Sequence, residues 1–127
     1  MQCKDIFRSA LKLLGEIGNE TNNPDYTDRA PYIIAAFVSE TFDTDRKIRL
    51  AHGLEEADEP SQVYIDLDDD FPLSDRLAPM CAFYLASLLI ADESPELSES
   101  YYDRYCDSIS TLIASLPANT EGIKQIY

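Results

Sequence analysis

One uncharged stretch, residues 77–91 (LAPMCAFYLASLLIA), constrains the fold of this chain more than any other feature. Tyr84 and Ser87 are its only polar side chains besides the weakly polar Cys81. A surface helix carries one apolar stripe and one charged face, whereas a helix formed here is apolar on nearly every side. The sequence therefore predicts a central helix that the rest of the chain, or other copies of it, must cover.

The same stretch is too short to cross a membrane. Its fifteen residues fall short of the roughly 18 apolar residues that a transmembrane helix needs. Acidic residues also flank it, with Asp75 before it and Asp92 and Glu93 directly after it. We therefore expect the central helix of a small domain, and no membrane partner.

The length and the cysteines indicate one domain in a reducing compartment. The 127 residues fit a single domain with one hydrophobic core, spanning 1–127 with a tail from about residue 117. Lys4, Asp5 and Arg8 interrupt the apolar run that a secretory signal requires. The three cysteines are an odd number, and two lie on apolar helical positions, which indicates reduced thiols. They are Cys3, Cys81 and Cys106.

The net charge of −14 lies almost wholly in the second part of the chain. Residues 1–54 contain eight acids and seven bases, whereas residues 55–127 contain sixteen acids and three bases. Such an acidic surface repels phosphate backbones, so we expect no direct nucleic-acid partner. The excess charge serves solubility, or it forms an acidic face that meets a basic face on a partner or on another copy.

The periodicity of apolar residues predicts two helices in the first half of the chain. The first covers about residues 4–17. The second begins at Thr27 or Asp28 as its N-cap and fades at residues 43–45. Pro31 must then lie near its first turn, because proline inside a helix removes a hydrogen bond. The predicted apolar face of the second helix consists of Tyr32, Ile33, Ala36, Phe37 and Val38.

Two more helices are predicted in the second half. The central one begins near Ser74 or Asp75. The last begins at Ser94, where a cap residue, a proline and Glu96 follow one another, and Pro117 ends it. Its predicted buried stripe consists of Tyr102, Cys106, Ile109, Ile113 and Leu116, widened by Tyr101 and Tyr105. The expected fold is all-α, a small four-helix domain with one short extended segment and a C-terminal tail.

The extended segment covers residues 62–67, where apolar and polar side chains alternate as in a strand. Val63, Ile65 and Leu67 lie on one side of it. Because the sequence contains no second convincing strand, the segment is either extended coil or a strand that pairs with another chain. The tail carries apolar anchors of its own, which are candidates for contact with a neighbouring copy.

Two basic patches are candidate protein-interaction sites. One recurs every four residues along the first helix and the other follows the second helix, and together they hold six of the ten bases. We expect them to contact the acidic part of a second copy, with charge setting register and partner choice. The predicted interaction residues are Lys4, Arg8, Lys12, Arg46, Lys47, Arg49, Val63, Ile65, Ile123, Ile126 and Tyr127.

The residues of catalytic and metal sites are sparse. His52 has no His or Cys neighbour at ligand spacing, so zinc is not expected. The acidic run 66–70 departs from a calcium-binding EF-hand loop, because Leu77 stands where the twelfth-position glutamate belongs. Neither a phosphate-binding glycine loop nor a nucleophile elbow is present.

One enzyme hypothesis remains. Glu40 and Asp43 form an ExxD pair, and Glu96 and Glu99 form an ExxE pair. Helical carboxylates three residues apart share a face and can hold Mg²⁺, as in all-α nucleotide pyrophosphohydrolases. The order of the two pairs is reversed relative to that family, and acids are favoured at the start of a helix in any case. We expect the four carboxylates not to converge, and no enzyme activity or cofactor.

The second half of the chain resembles a known family. FPLSDRLAPMCAFYLASLLI (71–90), ADESPE (91–96) and LSESYYDRYCDSISTLI (97–113) resemble small helical head–tail connector (adaptor) proteins of tailed bacteriophages and prophages. The first half, with DIFRSALKLLGEIG and DYTDRAPYIIAAFV, is similar to N-terminal halves of related phage proteins. The strong acidity departs from that family.

The resemblance implies a virion structural protein without catalytic residues. Such a protein assembles as a homo-oligomeric ring with the portal and binds the next neck or tail protein. It is expected in the virion, and in the cytoplasm of the bacterial host during assembly. Two alternatives stay open: a monomeric acidic helical interaction module, and a Mg²⁺-dependent all-α nucleotide pyrophosphohydrolase.

Overall fold

The computed structural model describes residues 1–16, 18, 21–55, 57–58 and 62–117. This part of the chain holds no β-strand, only one isolated bridge between Gln2 and Asp70. The predicted all-α fold of four helices is confirmed. The elements are α1 (Cys3–Leu13), α2 (Pro24–Ala51), a 3₁₀ turn (Asp75–Leu77), α3 (Ala78–Ile90) and α4 (Pro95–Ser115).

Helix α3 is the centre of the fold. It packs against each of the other three helices, most extensively against α4 and then α1. Nine of its thirteen residues are buried, among them Leu85 and Leu89, while only Pro79 is exposed. Full burial of a leucine stabilises a fold by about 1.5–3 kcal/mol. A single copy of the chain therefore covers the apolar helix.

Polar contacts fix the C-terminal end of α3 against its neighbours. The Ser87 hydroxyl donates to the Ser98 carbonyl at 2.8 Å, and the Ser98 hydroxyl donates to the Ser87 carbonyl at the same distance. The Arg29 guanidinium donates to the carbonyls of Leu88 and Leu89 at 3.1 and 3.0 Å. These carbonyls lie in the last turn of α3, where no helical N–H can reach them.

The start of α2 lies upstream of the predicted Thr27 or Asp28. The Asn23 side chain accepts a hydrogen bond from the Asp25 N–H at 3.0 Å and caps the helix, and Pro24 takes the first helical position. Pro31 therefore lies well inside the helix instead of near its first turn.

The end of α2 was also predicted wrongly. The helix continues through residues 43–45 to Ala51, because Asp45 turns inward. Its buried carboxylate pairs with Arg49 at 2.8 Å and accepts the Ser74 N–H at 2.7 Å. Asp45, in the run that resembled a helix end, is therefore a buried link to the start of the central helix.

The buried face of α4 differs from the predicted stripe by about one residue. Tyr101, Tyr105 and Leu112 are buried, whereas Tyr102 and Ile113 are 42% and 43% exposed. Tyr101 anchors this orientation, because its hydroxyl donates to the Leu13 carbonyl at the end of α1. Of the predicted stripe, the partly buried Cys106, Ile109 and Leu116 pack against the core.

The remaining helix ends follow local sequence signals. The Ser94 hydroxyl accepts the Leu97 N–H at 3.3 Å and caps α4, as predicted. Ser74 caps the 3₁₀ turn, and α3 itself begins at Ala78, after the predicted Ser74 or Asp75. Helix α1 ends at Leu13, before the predicted residue 17, and Gly15 follows with a φ of +83°, a left-handed conformation that glycine adopts without strain. No helix in the described part of the chain has both the length and the hydropathy of a membrane span.

Candidate interaction groove

A groove lies between α1, the first half of α2 and residues 64–68. Its volume is about 750 Å³. Its walls combine apolar, aromatic and charged side chains. The lining residues are Lys4, Phe7, Arg8, Thr21, Thr27, Asp28, Pro31, Tyr32, Tyr64, Asp66, Leu67 and Asp68.

Two tyrosines form the lip of the groove. The rings of Tyr32 and Tyr64 meet edge to face with centroids 5.1 Å apart, yet the residues are 56% and 44% exposed. Val63, next to Tyr64 in the chain, is 79% exposed. Exposed tyrosines are enriched at protein interfaces, where their rings bury a large area at low entropic cost. The lip therefore has the composition of a protein-contact surface.

The extended segment forms one wall of the groove and holds the start of α1. The N–H groups of Cys3 and Lys4 donate to the carbonyls of Asp69 and Leu67 at 2.9 and 2.7 Å. They lie in the first turn of α1 and have no helical acceptor. Of the two predicted alternatives, extended coil or a strand that pairs with another chain, the segment is extended coil within one chain.

The two apolar residues predicted to contact partners from this segment differ in their placement. Ile65 is buried in the chain's own core, and its N–H donates to the Pro31 carbonyl at 3.2 Å. Val63, which the alternation placed on the same side, is exposed beside the tyrosine lip. Only Val63 is therefore placed for contact with another molecule.

The basic residues of α1 edge the groove. Lys4 and Arg8 line it, and Lys12, one turn further on, donates to the Gly18 carbonyl. The ion pairs of this face are loose: the Lys4 ammonium lies 3.9 Å from Asp68, and the Arg8 guanidinium lies 3.8 Å from Asp5. Exposed pairs of this kind contribute little to stability, so these cations are free to change partners.

The second basic patch lies on the last turns of α2 and not in a loop after it. Arg46 and Lys47 are exposed, and Arg46 lies 3.9 Å from Asp43. Arg49 belongs to the fold itself, because it pairs with the buried Asp45 and donates to the Pro72 carbonyl at 3.2 Å. The structure thus leaves two of the three residues of this patch available to a partner.

The predicted tail anchors Ile123, Ile126 and Tyr127 lie outside the described residues. The sequence does not predict the tyrosine lip, because the periodicity places Tyr32 on the apolar face of its helix. The structure instead buries Ala30 and Ile34, two residues to either side of Tyr32. The signal that could have located the lip is the tyrosine pair itself, since Tyr64 lies on the polar side of the alternating segment.

Two of the three cysteines, Cys3 and Cys81, are buried and poorly suited to nucleophilic chemistry. Burial raises the pKa of the Cys3 thiol to about 11, and the nearby Asp69 carboxylate adds to the shift. Burial also raises the pKa of the Cys81 thiol well above its ordinary value. Both thiols therefore stay protonated near neutral pH, and the thiolate is the reactive form. The exposed His52 caps the C-terminus of α2.

The carboxylates of the enzyme hypothesis lie at separate places. The Glu40 carboxylate accepts the Tyr105 hydroxyl at 3.2 Å, whereas Glu96 and Glu99 lie in the first turns of α4. Within the described residues, no group of three or more acids, histidines or cysteines is arranged to hold a metal ion. In the acidic run, the Asp66 carboxylate accepts the Asp68 N–H at 2.8 Å, a local turn contact.

Glu40 instead belongs to an aromatic cluster between α2, α3 and α4. The rings of Phe37, Tyr84 and Tyr105 lie with centroids 5.2–5.9 Å apart. Burial raises the pKa of Tyr84 to about 12, and the Glu40 carboxylate adds to this shift. The pKa of Tyr105 is raised for the same two reasons.

No protein-family model, curated protein or solved structure matches this chain.

Proposed function

We propose that this protein acts through contacts with other protein chains, as a head–tail connector of a tailed bacteriophage or prophage. The observation that carries the binding role is the groove, where an exposed tyrosine pair lies beside the loosely paired cations of α1. The resemblance of residues 71–113 to connector proteins supplies the identity of the assembly. In this proposal the protein is not an enzyme and needs no cofactor.

The charge of the chain is compatible with this role. A net charge of −14 keeps an assembly subunit soluble and prevents it from gripping DNA that passes nearby. The partners in this proposal are further copies of the chain, the portal and the next neck or tail protein. The protein resides in the virion, and in the bacterial cytoplasm during assembly.

The decisive experiment is a deletion in a phage that encodes this protein. We expect the mutant to produce DNA-filled heads and free tails that do not join. Expression of the wild-type chain in trans should restore infectious particles, and antibody labelling should locate the protein at the neck. Intact, infectious particles from the deletion, with no copy of the protein in wild-type virions, would exclude the connector role.

A second candidate function is a monomeric acidic interaction module. It is favoured by one observation, namely that a single copy of the chain already covers α3. The deletion separates the two functions, because a regulatory module affects particle number or timing without leaving heads and tails unjoined.

A further inference from the structure

Two exposed helix faces of this domain carry opposite charges at similar spacing. On α1, Lys4, Arg8 and Lys12 recur every four residues beside the groove. On α4, carboxylates recur at intervals of three and four residues along the exposed face, at Glu96, Glu99, Asp103 and Asp107. We name the first set the basic stripe and the second the acidic stripe. Side chains four residues apart lie about 6 Å apart along a helix, so the two stripes match in pitch.

The stripes do not neutralise each other within one copy. The cations of the basic stripe contact Asp68, Asp5 and a backbone carbonyl. In the part of the chain that the structure describes, none of the four carboxylates of the acidic stripe forms an ion pair. Both helices pack on α3, and their outer faces are left to solvent.

Apolar side chains accompany both stripes. The basic stripe adjoins the groove, with Phe7 and Pro31 in its walls and the tyrosine lip at its mouth. Helix α4, which carries the acidic stripe, also has three exposed large side chains, Leu97, Tyr102 and Ile113. Charged pairs set orientation and partner choice while apolar burial supplies most of the affinity, and each face provides both.

We infer that the groove and basic stripe of one copy bind the acidic stripe of α4 of a second copy. The contact is heterologous, because the two faces are different. The first copy therefore keeps its acidic stripe, and the second keeps its groove and basic stripe, for a further neighbour. This inference rests on the proposed function in one respect: it names the surface through which connector subunits would contact each other.

The basic patch of α2 is the less suitable alternative. Its two exposed cations, Arg46 and Lys47, are adjacent in the chain and do not form a stripe. Arg46 also lies near the Asp43 carboxylate. Reversal of these two charges is therefore a matched control for reversal of two charges in the basic stripe.

The test measures self-association of the full chain by sedimentation at rising protein concentration. The wild type should associate, and the association should weaken between about 0.05 M and about 0.5 M salt, because screening shortens the reach of charge. R8E/K12E and E99K/D103K should each lower the association constant at least about tenfold, since like charges then meet at the contact. R46E/K47E should stay within about threefold of the wild type.

The net charges of the three variants distinguish a specific contact from overall charge repulsion. R8E/K12E and R46E/K47E both change the net charge from −14 to −18, whereas E99K/D103K changes it to −10. If association depended only on overall repulsion, E99K/D103K would associate more strongly than the wild type. The inferred contact requires the opposite result, because that variant loses its acidic stripe.

The restoring experiment mixes the two reversed variants. The acidic α1 of R8E/K12E meets the basic α4 of E99K/D103K, and the unchanged faces complement each other, so the mixture should associate as the wild type does. Circular dichroism of each variant confirms that the helices are intact.

A monomeric wild type at high concentration in low salt would overturn the inference, as would equal losses in R8E/K12E and R46E/K47E or a mixture that stays dissociated. The connector proposal is judged separately by the deletion phenotype.

Discussion

Helices α3 and α2 reach burial by different means. Helix α3 has no charged residue and is buried on nearly all sides, with apolar neighbours around Leu85 and Leu89. Helix α2 is more than twice as long and carries a proline and a buried carboxylate in its interior. Helix α3 is buried mainly by apolar packing, whereas the interior of α2 also needs specific polar partners. An apolar composition therefore reveals a buried helix, while a polar interior depends on contacts far away in the chain.

The largest expected effect tests α3. Leu89→Ala should lower the free energy of unfolding by about 2–5 kcal/mol, because the fully buried side chain leaves a cavity between α3 and its neighbours. Denaturant unfolding measures the change. Leu50→Ala, on the exposed end of α2, is the control and should cost under about 0.5 kcal/mol. A Leu89→Ala loss as small as that of the control would mean that α3 is not the centre of the fold.

A smaller effect tests the polar interior of α2. Asp45→Asn should lower the free energy of unfolding by about 1–3 kcal/mol, because it removes the charge that Arg49 and the Ser74 N–H contact. Asp43→Asn is the matched control, since its exposed carboxylate lies 3.9 Å from Arg46. It should change stability by under about 0.5 kcal/mol. Equal effects of the two substitutions would contradict the buried link.

The smallest effect tests the aromatic cluster where α2 meets α3. Tyr84 has its pKa raised to about 12 from 10, chiefly by burial. The unfolded chain therefore releases this proton first, so stability is retained below pH 10 and falls as the pH rises toward 12. Tyr84 should account for about 1–2 kcal/mol of that loss.

Unfolding of Tyr84→Phe across the same pH range measures this contribution, because the variant lacks the titrating phenol. It should lose less stability in alkali than the wild type. The difference between the wild-type and variant curves gives the contribution of Tyr84. A Tyr84→Phe curve parallel to that of the wild type would show that folding does not oppose ionisation of Tyr84.

Local signals were sufficient for some parts of the candidate site and not for others. The four-residue spacing of Lys4, Arg8 and Lys12 placed them on one helical face, which the structure leaves exposed. The same kind of reasoning grouped Arg49 with Arg46 and Lys47, because nothing nearby in the chain shows that Asp45 turns inward. The groove joins α1, α2 and residues 64–68, and its walls are far apart in the sequence.

The sequence by itself determined the all-α class, the central position of residues 77–91 and the cap at Ser94. Each depends on composition or on neighbours within a few residues, whose effects act before the chain folds. Only the tertiary structure decided the length of α2, the inward face of α4 and the role of the extended segment. In these cases the deciding partners, the Ser74 N–H for Asp45, the Leu13 carbonyl for Tyr101 and the first turn of α1 for residues 67–69, lie 29 to 88 residues away in the chain. Buried polar groups must find a hydrogen-bond partner wherever the fold provides one, and periodicity carries no information about where that partner lies.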